Sequence, residues 1–239
     1  MKINLRRRYL ACFITALSAG VAAMPAAIAA EGESANMEEI VIIGSRRAAR
    51  SATDTTAPVD VIAGDELTRN ASTDIQDLMR TAVPSYNVNA QPISDAATIS
   101  RPANLRGLSP DNTLVLVNGK RRHRGSVISF LGGGISDGAQ GVDIATIPSL
   151  ALKRVVVLRD GASSQYGSDA IAGVINFELR DAAQGGFLEV TKGSTYEGDG
   201  ENYRLAGNIG LPLGDSGFVN ITAEYGEVDG TVRSIVRSD

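Results

Sequence analysis

The sequence has no tryptophan, one cysteine and one histidine among its 239 residues, and only 5% of it is aromatic. Its core must therefore be built from Val, Ile, Leu and Ala. The cysteine, Cys12, lies in an N-terminal stretch that reads as a secretory signal, so the mature chain carries no thiol. That excludes both a disulfide framework and a thiolate metal site. A single histidine, His123, in an arginine-rich polar run supplies neither a histidine cluster for a metal nor a base placed beside a nucleophile. A basic excess is missing too: the formal net charge is -4, without the electrostatic footprint of a nucleic-acid binder.

Phosphate and acyl-transfer motifs are also absent. Around Gly119-Lys120, Leu114 stands where a P-loop needs its first glycine and Arg121 where it needs Ser or Thr. Gly161, Gly167 and Gly173 are spaced too widely for G-x-G-x-x-G, and Ser163 and Ser164 do not sit in G-x-S-x-G. Carboxylates are scattered, with no pair spaced for acid/base work. The expectation is a protein that is not an enzyme and holds no cofactor or metal.

What is present falls into four segments. Residues 1–29 combine a basic MKINLRRR, an apolar YLACFITALSAGVAAM and the cleavage signal Ala27-Ile28-Ala29, the pattern of an exported precursor. Residues 30–57 are polar and small, apart from the strand-forming island Glu39-Ile40-Val41-Ile42-Ile43. That island is either an edge strand of the next domain or a strand offered to another protein by β-augmentation. Residues 58–180 read as a mixed α+β domain. PVDVIAG alternates as a strand and GDELTRNA as a short helix. Ser72 or Thr73 is expected to cap TDIQDLMRTA, whose Ile75, Leu78 and Met79 share one face, and Pro84 stops it. TLVLV-NG-KRR carries a strong hairpin signal, and LKRVVVLRD is a β-branched strand.

From 181 to 239 the period becomes two. Tyr203, Leu205, Gly207, Ile209 and Leu211 alternate with polar or small residues, as do Val219, Ile221, Ala223 and Tyr225 after the turn PLGDSG; GGFLEVTKG supplies a third strand. A transmembrane barrel hairpin and a soluble sandwich hairpin share this alternation.

The remaining stretch, LRDGASSQYGSDAIAGVINF, is dense in Gly, Ser and Ala. Without chemical motifs it describes a chain that turns sharply in a confined space, with Asp160-Gly161 as a turn pair. Extended to LKRVVVLRDGASSQYGSDAIAGVINFELR, it resembles the closing signature of the plug domain of TonB-dependent outer-membrane receptors. Arg159, Ser163, Tyr166, Gly167, Gly173 and Asn176 fall on that pattern, and NLRGL, with Arg106 and Gly107, resembles its I-R-G motif. Asp160-Gly161-Ala162 departs from the usual Gly-Pro of the family, and Ala172 replaces one of its glycines.

The resemblance implies an α+β plug domain, a small mixed sheet with short helices, followed by the start of an antiparallel transmembrane β-barrel. It implies export to the outer membrane and gating of energy-dependent uptake of a scarce ligand such as a ferric siderophore. Glu39, Ile40, Val41, Ile42 and Ile43 stand where the TonB box belongs, and the implied partner is TonB with its inner-membrane energising complex. Plug apices at 89–98, 108–112 and 123–135 make Gln91, Asp95, Asp111, His123, Arg124 and Phe130 candidate ligand contacts. The short spacing between the signal and the box implies that no signalling domain precedes it. Too few residues follow Arg180 for a barrel of 22 strands, which needs roughly 220 in strands alone. The expectation is a truncated receptor; the alternatives are a free periplasmic plug-like module and a gene relic.

Overall fold

A five-stranded sheet, its central strands rich in buried Val and Ile, forms the middle of the described domain. The computed structural model describes residues 58–68, 74–88, 100–129 and 134–231, plus the backbone of two short strands, β1 (Ile40–Val41) and β2 (Arg50–Ser51). The expected signal, most of the expected TonB box, and Gln91, Asp95 and Phe130 lie outside the described residues.

After β3 (Val59–Ala63), the short helix α1 (Gly64–Thr68) and helix α2 (Ile75–Ala82) follow. The cap of α2 is Asp74, not Ser72 or Thr73: its carboxylate accepts the Gln76 N–H at 2.8 Å. Aspartate is as good an N-cap as serine, and its negative charge suits the positive helix end. Ile75, Leu78 and Met79 are buried, as their i, i+3, i+4 spacing requires. The helix ends one residue before Val83, followed by Pro84.

Next come β4 (Tyr86–Val88), β5 (Ala103–Leu105), β6 (Thr113–Val117), β7 (Lys120–Arg121), β8 (Leu152–Leu158) and β9 (Gly173–Leu179). The central sheet has the order β3-β8-β9-β6-β7, with β9 parallel to β6 and every other neighbour antiparallel. Both faces of its middle are covered. Val155, Val157, Ile175 and Phe177 pack under α1, α2 and the β4-β5 pair, while Val156, Leu158 and Val174 pack under the turn that contains Ala162 and Ala170. A strand buried on both sides has no need of alternation, which is why VVVL reads as a continuous apolar run.

The signature strand VINF therefore does not simply lead out of the domain. As β9 it lies between β8 and β6 and holds them together.

Beyond it, β10 (Gly186–Gly193), β11 (Asn202–Leu213) and β12 (Gly217–Val228) form a separate antiparallel sheet, here called the wall. Its polarity is inverted relative to a water-soluble hairpin. Tyr203, Leu205, Ile209, Leu211, Ile221 and Tyr225 stand exposed on one face. Arg204, Ala206 and Asn208 are buried on the other, where Arg204 meets Ser149 of the plug and Asn208 donates to Asn220 and Thr222 at 2.6 and 2.7 Å. An exposed apolar face over a buried polar face is the transmembrane-barrel pattern. Among the described residues the three strands do not close.

Candidate functional site

The signature turn connects β8 to β9 by folding back over the sheet. It contains helix α3 (Ser163–Tyr166) and a 3₁₀ turn, Ser168–Ala170. Ala162 N–H donates to Ala170 O at 2.8 Å, closing the turn on itself, and Ala172 N–H reaches Asn112 O at 2.9 Å. Each signature residue has a structural task. Arg159 pairs with Asp60 at 2.7 Å and ties the start of β3 to the end of β8. Arg106, left-handed at φ 57°, lies 3.6 Å from Asp160, so the I-R-G and D-G turns face each other; Gly107 continues that left-handed turn. The Ser163 carbonyl accepts from Gly167 N–H at 2.9 Å at the end of α3, and Tyr166 packs against the second core cluster.

Gly173 is the tightest point. With φ at 150°, a Cβ there would lie 2.3 Å from Leu158 O, so β9 approaches β8 too closely for any side chain. Asn176 is buried in β9 and accepts the Gly119 N–H at 2.9 Å. In return Asn118 Oδ1 accepts the Leu179 N–H at 2.8 Å. The Asn118-Gly119 turn, with both residues at positive φ as a two-residue hairpin requires, is thereby clamped to the neighbouring strand.

Three of the six expected ligand contacts come together beside this turn. Asp111, His123 and Arg124 line one cavity of about 130 Å³, together with Arg121, Gln140 and Asp169. Asp169 forms ion pairs with Arg121 and Arg124, the latter at 3.3 Å, and Arg124 lies 3.6 Å from Asp111. Arg121 also donates to Tyr166 O at 2.9 Å, and Asp111 accepts the Gln140 N–H at 3.1 Å. The cluster thus joins the 108–112 and 123–135 loops to the signature turn. Sequence reasoning missed Arg121, Gln140 and Asp169. Arg121 and Asp169 stood within quoted motifs, but only the fold brings those motifs together.

Of the expected TonB box, the backbone of Ile40 and Val41 is described. It pairs antiparallel with Arg50–Ser51, in the register Ile40↔Ser51 and Val41↔Arg50. A local strand partner therefore exists, one that propensity did not indicate. Among the described residues no group of His, Cys, Asp or Glu is arranged to hold a metal ion.

Comparison with known proteins gives the same architecture. The family model for the TonB-dependent receptor plug domain matches residues 51–174. The vitamin B12 transporter BtuB of Photobacterium profundum is 25% identical over 207 residues, which is 87% of this chain and 30% of that protein. The ferrienterobactin receptor of Escherichia coli is 28% identical over 177 residues, covering 72% and 23% of the two. An iron-regulated outer membrane virulence protein of Vibrio cholerae is 31% identical over 169 residues, covering 70% and 24%. The chain thus spans less than a third of the length of these relatives. In three dimensions, a mutant ferric enterobactin receptor of Pseudomonas aeruginosa shares the fold. It aligns at TM-score 0.57 and 24% identity over 73% of this chain and 25% of that one. The match to the plug model covers more than half of the residues: the chain belongs to the TonB-dependent receptor plug domain family.

Proposed function

We propose that the chain is the plug and first wall strands of an outer-membrane receptor that gates TonB-driven uptake of a scarce ligand, in the class of ferric siderophores or of vitamin B12. One observation carries the reading: a wall whose polar face meets the plug at Ser149 and whose other face is apolar and exposed. Such a wall belongs against lipid, with the plug in the lumen. The ligand class is supported by relatives named for enterobactin and vitamin B12. A free periplasmic module is the weaker reading, because it has no use for an exposed apolar face of this size.

Ligand is bound from outside by the Asp111-His123-Arg124 cluster, and Gln91, Asp95 and Phe130 are further candidate contacts. Residues 38–43 are the TonB box. Glu39, Ile40, Val41, Ile42 and Ile43 add as a strand to the sheet of TonB, so that main-chain hydrogen bonds transmit force. The outer membrane has no ion gradient of its own, and force through this strand supplies the work of remodelling the plug. Export through a cleaved signal at residues 1–29 brings the chain to the outer membrane.

The test is a Val41→Cys variant in a Gram-negative host whose TonB carries a cysteine in its sheet. A disulfide-linked adduct is expected, growing when iron is limiting and a ferric siderophore is supplied. Absence of an adduct under both conditions, with the variant present in the outer membrane, would sink the assignment of the box.

A further inference from the structure

Arg204 is the most buried charged side chain in the wall, at 5% exposure. The period-two pattern of β11 places it on the inner face, and each neighbouring strand gives it a carboxylate. Its guanidinium donates to Glu189 of β10 at 3.1 Å and to Glu224 of β12 at 2.8 Å. The same Nη2 donates at 2.8 Å to the hydroxyl of Ser149 in the plug, and that bond is itself buried. All the charge is therefore matched within the wall, and what crosses to the plug body is a bond to a neutral hydroxyl.

This division matters because a buried ion that loses its charged partner is strongly penalised, whereas loss of one neutral hydrogen bond is a modest change. Were Glu189 or Glu224 on the plug, moving the plug would strand Arg204. As built, the plug can leave while Arg204 keeps both carboxylates.

The surroundings agree. On either side of the contact along β12 lie two cavities. One of about 570 Å³ reaches Phe218, Asn220 and Thr222; the other, of about 410 Å³, reaches Glu224 and Gly226. Open space thus adjoins the contact along β12. Two other wall bonds, Asn220 to Ala182 O at 3.3 Å and Gly210 N–H to Gly185 O at 2.8 Å, go to the connector that is continuous with β10.

We propose that Ser149–Arg204 is a release latch between plug and wall, with Glu189 and Glu224 keeping the arginine neutralised when the latch opens. Its use in transport rests on the proposed function, but its existence does not.

Hydrogen–deuterium exchange of the full chain in detergent micelles tests it without ligand or TonB, so failure of the transport reading leaves the result intact. Ser149→Ala should raise exchange in 145–151 about two- to tenfold, the range expected for one neutral hydrogen bond, and leave β10 to β12 unchanged. Ser149→Thr, which keeps the hydroxyl and has the adjoining cavity for its methyl, should behave as the unaltered chain. Unchanged exchange at 145–151 in Ser149→Ala would overturn the latch. So would an equal rise across the wall strands, or a failure of threonine to restore protection.

Discussion

Asn176 joins a strand to a turn through its side chain: it accepts from Gly119 N–H and lies 3.3 Å from Glu178, which Arg154 holds at 2.6 Å. Asn176→Ala should remove the acceptor of the Gly119 N–H and lower stability by about 0.5–1.5 kcal/mol, read by denaturant unfolding. Gly173→Ala should cost more, about 3 kcal/mol or above, because unfavourable φ and a backbone clash at 2.3 Å add together. A variant that melts with the parent would refute this account of β9. Tyr86 gives a contrasting case. Among the described residues its hydroxyl is buried with no hydrogen-bond partner, and burial, helped by the nearby Asp74 carboxylate, pushes the phenol well above its ordinary value of 10.0. With the folded value raised, the stability contribution is complete below pH 10 and is lost as pH rises from there, since only the unfolded chain releases the proton. Tyr86→Phe should be neutral or slightly stabilising at pH 7 and should flatten the alkaline limb of stability against pH. Loss of stability in that variant at neutral pH would show a partner for the hydroxyl.

Elements show most directly where local pattern and tertiary context divide the work. The i, i+3, i+4 spacing of Ile75, Leu78 and Met79 was enough to place α2, because an amphipathic helix carries its period in its own sequence. Its cap was misplaced by one or two residues, since Ser72, Thr73 and Asp74 are all good caps and the choice depends on where the chain enters the helix. VINF was legible as a strand but not as a sheet centre, because a doubly buried strand shows no face. The wall strands were legible as strands, while which face meets lipid was not, since alternation is symmetric. The structure breaks that symmetry by burying Arg204 and Asn208 and exposing Leu205 and Ile209. Ile221→Lys, on the exposed face opposite Ile209, should therefore impair insertion into lipid vesicles by about 2–4 kcal/mol if it lies near the bilayer midplane. Thr222→Ser, on the inner face, should insert as well as the parent. Equal insertion of both would remove the lipid-face assignment. At the joint between plug and wall, the hydrogen bond from Lys153 holds the Asp181 carboxyl below its ordinary range. A depressed carboxyl contributes above its unfolded value and loses that contribution as pH falls through the folded one. Asp181→Asn should accordingly blunt the acid limb of stability.

For the molecule as a whole, the apolar wall face predicts that the chain partitions with detergent or membrane rather than with buffer, measurable by phase separation. A monodisperse, detergent-free monomer would contradict the proposed setting. The sequence by itself determined the family, because its motifs are local properties of a chain. It also marked Gly161, Gly167 and Gly173 as positions of turning or close approach, and Arg106, Gly107 and Asn176 as motif positions. Only the tertiary structure decided what these residues hold: the clamp of Asn176 on Gly119, the meeting of Asp111, Arg124 and Asp169, and the neutralisation of Arg204 inside the wall. These contacts join residues 57 positions apart for the clamp, 13 and 45 apart for the Arg124 pairs, and 15 and 20 apart for Arg204. Strand partners are chosen by mutual burial, which no single segment encodes, so the contacts that depend on that choice become visible only in the folded chain.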